Sequence, residues 1–186
     1  GPTRGITTDV VKARWVAAAD IDGDGDVDAI SASDFDGKIA WYENIDGRGT
    51  FGPQRVITTS ASGAFSVAAA DFDGDGDLDL AVASRAETRP SRLYRNDSGT
   101  LTATPVFTFT ETTGKSMAWA DMDGDGDLDV VFGNHEFGWQ LYRNNSGLMS
   151  RTSSSIWSPS VQKTTSIAWG DYDNDGNVDL LVPAGL

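Results

Sequence analysis

The chain is predicted to be all-β, assembled from successive four-stranded antiparallel sheets, and three observations predict it. An acidic nonapeptide recurs at residues 20–28, 71–79, 121–129 and 171–179, its first aspartates 51, 50 and 50 residues apart. The flanks of each copy are short apolar runs of strand length, punctuated by Gly, Asn, Ser or Pro. The run before each copy keeps one face small: Ala17 and Ala19, Ala68 and Ala70, Ala118 and Ala120, Ala168 and Gly170. Small side chains fit where several strands converge on an axis with little room. Radially stacked sheets with about 40–50 residues per repeat are the signature of a β-propeller.

The elements follow in order within each repeat. A first strand leads into the acidic loop, at 15–19, 66–70, 116–120 and 166–170, and a second leaves it, at 29–32, 80–83, 130–133 and 180–182. A third carries a Tyr-x-Asn echo ending at Asn44, Asn96 and Asn144. A fourth is weaker, at 55–58, 106–109 and around 156–157. The whole of 1–186 reads as a single propeller segment, with repeats at approximately 4–59, 60–111, 112–161 and 162–186, the last incomplete.

Residues 4–8 match 55–59, so the chain opens on a fourth strand and holds about three and a half to four blades. A bare sheet edge is a pairing site that proteins rarely leave open. The chain is therefore expected to be a fragment of a larger ring, or to self-associate through its open blade edge to complete one.

Each nonapeptide supplies what a hard cation of flexible coordination needs: oxygen donors at alternate residues of a tight loop, with Gly at the sharp turn. The first copy offers the carboxylates of Asp20, Asp22, Asp24 and Asp28 at positions 1, 3, 5 and 9, with Asp26 at position 7 contributing its main-chain carbonyl. The equivalents are Asp71, Asp73, Asp75, Asp77 and Asp79; Asp121, Asp123, Asp125, Asp127 and Asp129; and Asp171, Asp173, Asp175, Asn177 and Asp179. Asn177 suits a position that ligates through the backbone. Like charges so close repel one another, and a divalent ion removes that penalty.

Calcium is the expected ion, up to four in all, one per loop. Magnesium demands a strict octahedron, and zinc would want Cys or His. An EF-hand would need Glu at position 12, where this chain has Ser31, Val82, Phe132 and Val182.

The formal net charge of −14 is a property of these loops, because they hold 19 of the 28 acids. The remainder carries nine acids against fourteen basic residues, without the basic stripe of a nucleic-acid binder. No apolar run approaches the roughly 18 residues of a membrane span, so no membrane insertion is expected. With no Cys, neither a disulfide framework nor thiol chemistry is available. Asn96-Asp-Ser98 and Asn144-Asn-Ser146 are N-glycosylation sequons that also read as turns.

The acidic loops and the strands beside them resemble the FG-GAP/VCBS repeat family, the calcium-binding blades of integrin α-subunit propellers, some fungal lectins and many secreted microbial proteins. The resemblance covers essentially the whole chain. It implies one structural calcium ion per loop, held by the aspartates named above, and an extracellular or cell-surface location.

Catalysis is not expected: His135 is the single His, and no nucleophile elbow, phosphate loop or HExxH motif occurs. Recognition is expected instead, because such scaffolds present variable loops from rigid sheets. The loops between second and third strands emerge opposite the acidic loops and offer Asp34, Asp36, Arg85, Arg89, His135, Glu136 and Trp139 as a ligand rim. The reading is an adhesion or recognition module for protein or glycan ligands. A lectin proper, a non-catalytic module of a secreted polysaccharide-active enzyme, and a structural self-assembly unit stay open beside it.

Overall fold

Each acidic loop closes an antiparallel hairpin between the innermost strand of a sheet and its neighbour. The computed structural model describes residues 5–7, 9–85, 89–110, 114–134, 138–152, 164 and 166–182, and all of its regular structure is strand. The first sheet has the order β1 (Ala13–Ala19), β2 (Asp28–Ser33), β3 (Ile39–Tyr42), β4 (Arg55–Thr58). The second repeats the plan with β5 (Ala64–Ala70), β6 (Asp79–Ser84) and β7 (Ser91–Tyr94). A small hairpin of β8 (Asn96–Asp97) and β9 (Thr100–Leu101) intervenes before β10 (Phe107–Phe109) returns to pair with β7. The third contains β11 (Gly114–Ala120), β12 (Asp129–Asn134), β13 (Gly138–Asn145) and β14 (Leu148–Arg151), and the pair β15 (Ala168–Gly170) and β16 (Asp179–Leu181) begins a fourth. Four-stranded blades of a propeller, the last partial, are what the repeats build.

The fourth strand of the third sheet differs from expectation. It is β14, whereas the segment around 156–157 lies outside the described residues. β14 arises because Ser146 and Gly147 take positive φ, reversing the chain directly after β13 so that Asn144 pairs with Met149. The β8–β9 hairpin is its counterpart in the second sheet, and the Asn44–Phe51 bridge in the first. The Asn-x-Ser-Gly stretch is thus a structural element of the second and third repeats.

β5 lies beside β1 and β11, and β11 beside β15, so the inner strands gather as their small residues require. The two faces of each strand serve two neighbours, because side chains alternate with period two. Ile30 and Ala32 of β2 meet Leu80 and Val82 of β6 in one core cluster; Ala81 and Ala83 of β6 meet Val130 and Phe132 of β12 in the next. Val131 meets Leu180 and Val182 in a third. On the inner strands the small face turns toward the following sheet, Ala17 and Ala19 joining the first cluster. The larger face turns back, with Met117 and Trp119 packing on the second.

The core is therefore a series of layers between sheets. In the middle layer the Phe109 ring sits 4.8 Å from Phe132 and 4.9 Å from Tyr142, and truncating one such ring costs about 3–5 kcal/mol.

Candidate metal centres

The turn geometry of each acidic loop comes from its own aspartates. In the first, Asp20 accepts the Gly23 N–H at 2.8 Å on Oδ1 and the Gly25 N–H at 2.9 Å on Oδ2, while Asp24 accepts the Asp26 N–H at 2.8 Å. Positions 4 and 6 take positive φ in every copy, which Gly allows without strain. The fourth loop places Asn174 at position 4 with φ of 61°, a conformation Asn tolerates better than other side chains. Position 9 anchors the loop to the sheet: Asp28 accepts from Ile21 N–H at 3.0 Å and Asn44 N–H at 2.8 Å. Asp79 does the same with Phe72 and Asn96, and Asp129 with Met122 and Asn144.

With these bonds made, the carboxylates at positions 1, 3 and 9 converge. One oxygen from each of Asp20, Asp22 and Asp28 lies within 4.8 Å of the others, and the same holds for Asp71, Asp73 and Asp79, for Asp121, Asp123 and Asp129, and for Asp171, Asp173 and Asp179. Four loops are thus positioned to hold a metal ion.

Asp22 Oδ1 and Asp73 Oδ1 are buried without a hydrogen-bond partner, an arrangement that costs about 1–3 kcal/mol unless something else supplies positive charge. Burial, with the neighbouring aspartates, raises the pKa of both. Burial also raises Asp129, and it pushes Asp79 up to about 7 against the two main-chain donors that favour its charged form. A hard cation fits this all-oxygen donor set.

The position 7 side chains turn elsewhere. Asp77 and Asp127 accept the N–H groups of Ser98 and Ser146 at 2.7 Å each, and Asp26 lies against Gly47. Asn177 donates to Asp175 at 2.9 Å. Their main chain is what remains for a cation.

The Tyr-x-Asn echo holds residues whose role sequence reasoning missed. Asn96 and Asn144 are 0% and 1% exposed, and each carboxamide donates to two main-chain carbonyls. A glycan on Nδ2 would replace one of the two donated hydrogens at a buried nitrogen, so in this fold the two sequons serve as structural elements. The signal was the recurrence of Asn at the same place after each of the first three loops.

Of the expected rim, Asp34 and Arg85 come together at 3.9 Å, and Arg14 joins Asp34 at 3.2 Å. Arg85 lies over the Phe65 ring, Lys12 over the exposed Phe35 ring, and Lys38 pairs with Asp36 at 3.6 Å. Arg89 is exposed. Trp139 packs beside Val131, Leu141 and Ile167 between sheets. His135 and Glu136 lie outside the described residues.

A family model described as FG-GAP-like repeat matches residues 20–82, 71–132 and 129–182. Among solved structures, the V. cholerae biofilm matrix protein Bap1 is 24% identical with a TM-score of 0.56, the match covering 90% of this chain and 23% of that one. An Agrocybe aegerita lectin, solved for its specific recognition of non-reducing terminal N-acetylglucosamine, is 22% identical with a TM-score of 0.55, covering 89% and 45%. The Bacillus licheniformis rhamnogalacturonan lyase PL11 is 17% identical with a TM-score of 0.57, covering 99% and 42%. The chain spans less than half the length of each, and the likeness is one of fold. No curated protein matches.

Proposed function

The chain belongs to the FG-GAP-like repeat family, and on that premise we propose that it is a calcium-binding, non-catalytic recognition module of the extracellular space. The observation that carries this reading is the fourfold convergence of carboxylates at positions 1, 3 and 9 within 4.8 Å. Calcium accepts six to eight oxygens in flexible geometry, whereas magnesium keeps several waters in an octahedron. The ion's part is structural: it neutralises charge where an inner strand turns to the next. Positions 1, 3, 5 and 9 would hold it by carboxylate and position 7 by main chain.

Recognition is assigned to the opposite end of the sheets, where Asp34, Arg14, Arg85 and the exposed Phe35 present charge beside an aromatic face. Protein and glycan ligands both suit such a surface, and the lectin likeness lends weight to a glycan. Calorimetric titration tests the metal reading, with about four calcium ions expected per chain and weaker binding of magnesium. No calcium uptake would overturn it. A glycan array run with the native chain and with Asp34→Ala tests the ligand end.

One observation favours a second role. On the first sheet, Trp15 and Val16 are exposed where their counterparts in β5 are covered, which suits docking of another blade and hence self-association. Light scattering with calcium present tests it, and a monomer at all concentrations would remove it.

A further inference from the structure

The second and third metal loops are each tied to the loop before by one carboxamide. Asn96 gives its main-chain N–H to Asp79 Oδ1 at 2.7 Å, fixing a ligand of the second loop. Its Nδ2 donates to Leu78 O of that loop at 3.2 Å and also to Ile21 O of the first loop at 2.7 Å, 75 residues away. Asn144 repeats the arrangement one blade on, with Asp129 Oδ1 at 2.8 Å, Leu128 O at 3.3 Å and Phe72 O of the second loop at 2.5 Å. Ile21 and Phe72 lie between ligand positions 1 and 3, and their own N–H groups are held by Asp28 and Asp79.

The hairpin that follows each Asn touches the same two loops. A Cβ placed on Gly99 would lie 3.0 Å from Asp22 Cβ, and one on Gly147 3.3 Å from Asp73 Cβ, so these turns rest on ligand position 3 of the preceding loop. Ser98 and Ser146 meanwhile bond position 7 of their own loops. In the first sheet Asn44 bonds Asp28 and Val27 of its own loop.

We propose that Asn96 and Asn144 are positioning residues that couple calcium loading between adjacent blades, so that the first three loops fill as a linked series. The inference rests on the calcium reading. A cation in the second loop fixes Asp79 and, through Asn96, the Ile21 peptide of the first loop. It also fixes the Phe72 carbonyl that Asn144 grips from the third. Such coupling is reciprocal and typically amounts to about 5–150-fold in affinity.

The test uses the full chain labelled with ¹⁵N-glycine and titrated with calcium, reading Gly25, Gly76, Gly126 and Gly176 at position 6 of the four loops. Asp75→Asn disables the second loop, as checked at Gly76. The expected result is a shift of the Gly25 and Gly126 midpoints to at least fivefold higher calcium, with Gly176 unmoved. Adding Asn96→Ala should abolish the shift at Gly25, and adding Asn144→Ala the one at Gly126. Either variant decides the point should the other fail to fold.

Shifts below fivefold, or shifts that survive both Asn variants, overturn the coupling and leave the calcium reading intact. No response to calcium at any of the four glycines overturns the calcium reading instead.

Discussion

Val16 and Val67 stand at the same place on successive inner strands, yet Val16 is 66% exposed and Val67 3%. Val67 belongs to the cluster that joins the first and second sheets, together with Ile30, Trp41 and Tyr94. The Val16 face is the corresponding half of a layer whose other half is not supplied by the described residues. Val67→Ala should cost about 2 kcal/mol through lost burial and the cavity left behind. Val16→Ala should stay within about 0.5 kcal/mol. Urea unfolding of calcium-loaded monomer measures both, and equal costs would contradict the layer assignment.

Calcium removal should lower stability in steps that scale with the number of loops lost. A ligand binding the native state at one hundred times its Kd contributes about 2.7 kcal/mol. For a chain of this size that corresponds to roughly 5–10 °C in Tm per site. Chelation should therefore reduce Tm by more than Asp73→Asn does alone, and added calcium should restore it. Thermal scans decide this, and a chelated protein that melts where the loaded one does would contradict a structural role for the ion.

The repeat period, the first two strands of each sheet and the convergence of positions 1, 3 and 9 were legible in the sequence, for a common physical reason. A loop that must fold back within nine residues while aiming carboxylates inward leaves little freedom at positions 1, 3, 6 and 9, so its composition announces it. The Asn96 clamp was harder to see because its second partner, Ile21, is 75 residues distant and a main-chain carbonyl leaves no side-chain trace. Asn-x-Ser-Gly therefore suggested a sequon or a turn. Trp139 illustrates a different difficulty: an aromatic at the start of a third strand has the same identity on a rim and in a layer, and only packing against Ile167 places it in the layer.

Asp79 gives the metal-free protein a pH dependence of definite sign. Its folded pKa is raised to about 7 from 3.8, chiefly by burial. Between those values the folded state keeps a proton that the unfolded state has released. The stabilising contribution of this group is thus fully present below pH 3.8 and is lost as pH rises through 7. Calcium must displace that proton, so affinity at the second loop should weaken by up to about tenfold per pH unit below 7. Unfolding of calcium-free protein at pH 5 and pH 8, alone and as Asp79→Asn, measures the first effect, and calcium titrations across the same range the second. Affinity that does not change from pH 7 to pH 5 would contradict the shifted group.

At the opposite end of the sheets, Asp34 links Arg14 and Arg85 across the first two blades. Both arginines are substantially exposed, and exposed ion pairs of this kind contribute only about 0–1 kcal/mol. Asp34→Ala should therefore leave the melting temperature of the calcium-loaded protein within a few degrees of the native value. Its effect should fall on ligand capture, because the substitution removes the anionic centre of the rim and frees two guanidinium groups. Paired measurements of Tm and of binding to any glycan or protein the native chain retains separate the two consequences. A variant that binds normally would move recognition away from this rim, and one that melts far below the native protein would make Asp34 a structural residue.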